Sequence, residues 1–190
     1  MKIVLYLLII NVIGYLMALL DTKMAIEKEK RINMILIFIC IIGGALGIMI
    51  EYKVKDEPAE KSNMITRVFA PCMLIIWIVC LILFFKMDNK KLDLNIVGFL
   101  IKHKLLIWYI LIINVITFAA FGIDKLNAIK DKSRIPIVTL LGLSFIGGTI
   151  GGIIAMYTFR HKIRKDYFRI GMPLILITQI FVLVLLMNIF

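Results

Sequence analysis

Six apolar runs alternate with short charged segments along this chain. They cover residues 3–20, 32–50, 68–85, 105–123, 135–159 and 170–190. Polar segments at 21–31, 51–67, 86–104, 124–134 and 160–169 separate them. At about 1.5 Å per residue, runs of this length match a hydrocarbon layer roughly 30 Å thick. In such a layer only helices and closed barrels satisfy the backbone, and the runs lack the alternation of barrel strands. The pattern predicts an all-α integral membrane protein with six transmembrane helices. The fifth run is the longest, which implies tilt or a protruding end. No small-residue cleavage site follows the first run, so it reads as a retained span rather than a signal peptide. Pro71 is expected in the first turn of the third span, where a missing N–H costs least. Residues 92–101 read as a short amphipathic helix at the interface.

The polar residues inside this pattern repeat. Asn11-Val12-Ile13 returns as Asn114-Val115-Ile116, and Asp21, Ala25 and Arg31-Ile32 return as Asp124, Ala128 and Arg134-Ile135. Gly43-Gly44 and Gly47 return as Gly147-Gly148 and Gly151, and Arg67 and Pro71 as Arg169 and Pro173. The result is two three-helix repeats, residues 1–86 and 105–190, joined by a basic linker at 87–104. An odd number of spans per copy makes the repeats inverted, as in many secondary transporters. Loops one, three and five hold 14 Lys and Arg, against 9 in the N-terminus and loops two and four. The positive-inside rule then places both termini outside and loop three in the cytoplasm.

Composition agrees with membrane insertion and narrows the partners. The chain of 190 residues is 62% hydrophobic with net charge +11, and its mean hydropathy is +1.02. Its Lys and Arg lie between the apolar runs, so no basic face remains for nucleic acid once the spans are set aside. The expected partners are the bilayer and its anionic head groups, with a second copy or another membrane protein as a further candidate. Cys40, Cys72 and Cys80 all fall in apolar runs and read as packing residues. No phosphate loop, dinucleotide fingerprint, metal-ligand spacing or cofactor motif occurs.

Each candidate group has a structural and a functional reading. Gly43, Gly44, Gly47, Gly147, Gly148, Gly151 and Gly152 either let helices pack closely at the repeat interface or break a helix whose freed backbone lines a site. Asn11 and Asn114, near mid-membrane, either bond between helices or line a permeation path. Asp124 and Arg134, like Asp21 and Arg31, either close a hairpin by a salt bridge or leave Asp124 to bind a proton or cation. Arg160, His161, Lys162, Arg164 and Lys165 either set topology and attract anionic lipid or recognise a phosphate or carboxylate.

Asn114, Asp124-Lys125, Ala128, Arg134-Ile135-Pro136, Gly147-Gly148, Gly151, Phe159-Arg160-His161-Lys162, Lys165 and Phe168 resemble a family of small bacterial membrane proteins catalogued as domain of unknown function 1294. The resemblance covers about residues 105–185 and implies a bacterial cell membrane and no settled activity. Where the second copy has Arg160-His161-Lys162, the first has Pro58-Ala59-Glu60, so the basic cluster is unique to copy two. The leading functional expectation is a small transporter or channel-like protein. The alternative is a membrane interaction or assembly protein that binds anionic lipid or a partner through residues 160–169. A phospholipid-modifying enzyme is third, with one His and one Asp as its acid–base groups.

Overall fold

A computed structural model describes residues 2–28, 31–55, 60–86 and 92–189. Glu29 and Lys30 of the first loop, Pro58-Ala59 and linker residues 87–91 lie outside this description. The described residues form helices and no strand. Six helical stretches are long and apolar enough to cross a membrane: Lys2–Glu27, Asn33–Val54, Met64–Lys86, Lys104–Ile129, Ile137–Thr158 and Asp166–Ile189. The chain is a multi-pass helical membrane protein. It divides into two compact units, residues 1–81 and 82–190.

In the first unit, α1 (Lys2–Lys28) leads to α2 (Asn33–Ile39), a π-helical turn at Cys40–Gly44 and α3 (Ala45–Val54), and then to α4 (Met64–Lys86), whose last residues fall beyond the unit boundary. The second unit has α5 (Ile96–Lys102), α6 (Lys104–Ile129), α7 (Ile137–Leu143), a π-helical turn at Ser144–Gly148, α8 (Thr149–Thr158), α9 (Asp166–Arg169) and α10 (Gly171–Ile189). Helices overrun the expected loops at 21–31, 51–67 and 124–134. Asp21 and Asp124 therefore sit on α1 and α6 rather than between spans. Because α4 begins at Met64, Pro71 lies inside it and not in its first turn. The short helix expected over 92–101 is α5, which starts at Ile96 and is capped by the Asn95 side chain, which accepts from Gly98 N at 3.0 Å.

The second and fifth apolar stretches double back. In the second unit, Ile135 N, just before α7, donates to Asp124 Oδ1 at 2.9 Å. His161 Nε2, just after α8, meets Asp124 Oδ2 at 2.8 Å. A straight helix over Ile137–Thr158 would separate its ends by about 32 Å, yet both ends reach one carboxylate. Between them, the Gly147 carbonyl accepts from Asn114 Nδ2 at 3.0 Å, ten residues back along α6. Thus α7 runs against the direction of α6 and α8 runs with it. The Phe159 ring, beyond α8, accordingly packs beside Gly122.

The first unit follows the same path. Ile32 N donates to Asp21 Oδ1 at 2.7 Å before α2. Glu51, near the end of α3, accepts from the adjacent Thr22 hydroxyl at 3.1 Å. Midway, Asn11 Nδ2 donates to the Gly43 carbonyl at 3.0 Å.

Glycine permits each reversal. Gly43 has φ +108° and Gly147 φ +128°, a region that a Cβ makes costly. Beyond the bend, Gly47 and Gly151 lie so close to the backbones of Asn11 and Asn114 that a Cβ would overlap them. These glycines therefore seat α3 on α1 and α8 on α6, each within its own unit.

Burial follows this arrangement. Leu36, Cys40, Ile48 and Cys72 are buried in the first unit, and Phe121, Leu140, Phe168, Met172 and Ile175 in the second. Leu5, Leu8, Val12 and Leu16 of α1 and Leu111, Ile112 and Val115 of α6 are exposed, as lipid-facing residues are. Gly147→Val should lower thermal stability in detergent by on the order of 2 kcal/mol or more, from the left-handed backbone and the nearby Ile113. Gly142→Ala, with nothing within 4 Å of the added carbon, should leave it unchanged or raised. Equal melting curves for Gly147→Val and wild type would contradict this account of the reversal.

Candidate functional site

The site is built around Asp124, whose side chain has no exposed surface. A buried carboxylate requires partners on both oxygens. Oδ1 takes the backbone N–H of Ile135. Oδ2 takes His161 Nε2 at 2.8 Å and Lys162 Nζ at 2.6 Å. Each of these two side chains is 14% exposed. Lys162 Nζ also lies 5.2 Å from the centroid of the buried Phe168 ring, a position suited to a cation–π contact.

The segment after α8 is shaped to deliver these two side chains. The helix ends with His161 N bonded to Met156 O at 3.0 Å and Arg160 N bonded to Tyr157 O at 3.3 Å. That pair of bonds forms the Schellman ending, in which glycine normally fills the left-handed position. Here Arg160 fills it at φ +45°, and Lys162 follows at φ +63°. Two left-handed residues flank His161, and the turn is held by the contacts to Asp124. Arg160, Arg164 and Lys165 remain exposed.

The apex of the doubled-back segment is closed by side chains. The last carbonyls of a helix lack intrahelical donors, and here they fall in the middle of an apolar stretch. Gln179 Nε2 donates to Ser144 O at 2.7 Å and Phe145 O at 3.1 Å. The Tyr109 hydroxyl donates to Ile146 O, and Asn114 to Gly147 O. Asn114 Oδ1 accepts from Gly151 N at 2.6 Å, and its Nδ2 also bonds Ile110 O at 2.7 Å. The first unit does the same with Trp77 on Ile41 O at 3.0 Å, Tyr6 on Ile42 O at 2.7 Å and Asn11 on Gly43 O. Asn11 Oδ1 accepts from Gly47 N at 2.9 Å.

Several expectations change. Asp124 is paired with His161 and Lys162, while Arg134 is exposed and has no ion pair among the described residues. In the first unit the ten-residue spacing does give a pair, Arg31 to Asp21 at 2.9 Å. Glu60 carboxylate oxygen stands 4.0 Å from Arg31. Gly44 and Gly148 sit against Ile10 and Thr117, and Gly152 against Met172 and Ser144, again inside one unit. No group of three or more His, Cys, Asp or Glu suited to a metal occurs among the described residues. Tyr109, Gln179, Tyr6 and Trp77 were not singled out as site residues. Tyr6 and Tyr109 stand 103 positions apart, the same spacing as Asn11 and Asn114, and that was the available signal.

Residues 114–168 match the family described as "Protein of unknown function (DUF1294)". A relative from Bacillus subtilis (strain 168), "Uncharacterized protein YsdA", is 37% identical over 71 residues, which are 37% of this chain and 80% of the relative. The chain belongs to the DUF1294 family. No solved structure matches it. The DUF1294 match begins at Asn114, which caps the apex, and ends at Phe168, the ring beside Lys162. With 71 residues making up four-fifths of it, the relative is nearer in length to one unit than to this chain.

Asp124→Asn keeps an acceptor for Ile135 N but removes the charge. Lys162→Met removes one cation. Each should cost about 3 kcal/mol of stability, as when one partner of a buried pair is removed. The double variant should lose clearly less than the sum. Strict additivity in denaturation of the detergent-solubilised protein would show that the pair is not coupled.

Proposed function

We propose that this DUF1294 protein binds anionic phospholipid head groups through the turn at residues 160–165. One observation supports the reading: Asp124 engages only part of the basic cluster. His161 and Lys162 are held inward, which fixes the turn, while Arg160, Arg164 and Lys165 point away from the fold. Arg can present two parallel N–H groups to a phosphate, and a turn fixed in advance loses less entropy on binding. The role is that of an interaction protein in a bacterial cell membrane, with head groups as its ligand. His161 is engaged with Asp124 and no nucleophile accompanies it, so an enzymatic reading has little to build on.

A transport reading has one observation in its favour, the two helices that turn back within the apolar layer, a device transporters use at substrate sites. Against it, the apical carbonyls and both Asn side chains are already occupied by protein partners.

Protein purified in mild detergent should retain anionic phospholipid, read by native mass spectrometry. Replacing Arg160, Arg164 and Lys165 together by Gln should remove most of it without lowering the melting temperature. Equal retention by wild type and variant would overturn the proposal. Reconstituted protein should show background flux of ions and phosphate; flux that is lost in Asn114→Leu would favour the transport reading instead.

A further inference from the structure

We infer that the two doubled-back stretches are re-entrant hairpins, that each opens toward the cytoplasm, and that the exposed basic residues of the loops beside them meet the anionic inner leaflet. The inference rests on chain path and charge and is independent of the head-group proposal.

The path is counted unit by unit. In the first unit α1 crosses from its Tyr6 end to its Asp21 end. The segment α2–α3 leaves the Asp21 level, bends at Gly43 beside Tyr6 and Leu7, and returns to Thr22. The helix α4 starts beside Asn33, where Thr66 bonds its side chain at 2.9 Å, and passes the bend at Trp77. It therefore runs back toward the face from which α1 began. The unit makes two crossings, an even number, and its ends share a face. In the second unit α6 crosses from Tyr109 to Asp124, and α7–α8 leaves and rejoins the Asp124 level. The helix α10 passes Gly152 at Met172 and the bend at Gln179, and Asn188 then bonds Asp93, ahead of α5, at 2.9 and 3.0 Å. This unit also begins and ends on one face.

Depth agrees with this path. From Asp124 back to Tyr109 is 15 residues of α6, or about 22 Å. The same holds from Asp21 to Tyr6. The bends pass the middle of a roughly 30 Å layer without requiring a crossing. Non-helical backbone at such depth is tolerated where protein groups satisfy it, and the capped apical carbonyls meet that condition.

With an even number of crossings in each unit, the odd count behind inverted repeats no longer applies. Charge then becomes decisive. The loops beside the hairpins, at 21–31, 51–67, 124–134 and 160–169, carry 17 of the 23 Lys and Arg. Both termini and the linker carry 6. Assigned by six crossings, the same residues divide as 14 and 9. The wider split gives a firm orientation under the positive-inside rule. It also places Arg160, Arg164 and Lys165 beside the leaflet that carries anionic lipid.

The test is labelling of single cysteines in whole bacterial cells by a membrane-impermeant maleimide, before and after permeabilisation. The background carries serine at Cys40, Cys72 and Cys80, with melting temperature checked first; if it does not fold, impermeant lysine-free epitope insertions at the same positions replace it. Probes are Lys23→Cys, Lys132→Cys, Asp166→Cys and Asn95→Cys. The expected result is that the first three label only after permeabilisation and Asn95→Cys labels in intact cells. Lys132→Cys and Asp166→Cys on opposite sides would overturn the hairpin. Lys23→Cys and Lys132→Cys on opposite sides would overturn the common orientation. The expected grouping with the sides exchanged would overturn the cytoplasmic assignment. Lipid retention by the Arg160, Arg164 and Lys165 variant is a separate readout, so failure of either idea leaves the other standing or falling by its own result.

Discussion

The second unit depends on one buried carboxylate that holds both ends of a bent helix pair. Asp124 takes Ile135 N on one oxygen and His161 with Lys162 on the other. Without that clasp, a 22-residue apolar stretch has little reason not to straighten into an ordinary span. Hydropathy favours burial of the stretch in either form, so the choice between them falls to the polar groups. A buried ion pair gives little net stability over apolar groups of the same shape, yet losing one partner is costly. The pair therefore acts mainly to select one arrangement. The bend at Gly147 and its capped carbonyls form the other half of the same selection.

The two units reach this arrangement with different charges. In the first, the cation comes from Arg31, just before the bent segment, and Glu60 lies nearby. In the second, Lys162 stands 102 positions after Glu60 and supplies the cation from beyond the bent segment. Arg134, the counterpart of Arg31, is left exposed. The exchange moves the cationic partner of the buried aspartate from the first loop of a unit to the second.

Much of this was legible in sequence, for physical reasons. Membrane insertion follows from apolar length, and the shared Asn, Asp and Gly positions follow from their regular spacing. The doubled-back path was not legible, because two short apolar arms have the same hydropathy as one straight span. The Gly-Gly pairs in the middle of runs two and five marked the place without specifying the angle. Gln179 has no like residue at the repeat spacing, and it bonds mainly to the Ser144 and Phe145 carbonyls, which no pattern of side chains reveals. The ten-residue spacing of Asp124 and Arg134 allows a salt bridge that forms in the first copy, whereas in the second the partners of Asp124 come from beyond the bent segment. The change of sign between Glu60 and Lys162 was the readable clue.

The central claim is that residues 137–158 bend back on themselves, and a distance tests it most directly. Spin labels at Val138→Cys and Tyr157→Cys, both exposed positions, can be measured by pulsed electron resonance in a bilayer. A straight helix separates these positions by about 28 Å. The bent pair predicts a single distribution below about 20 Å, since both ends meet at Asp124. A distribution centred near the straight-helix distance would contradict the account.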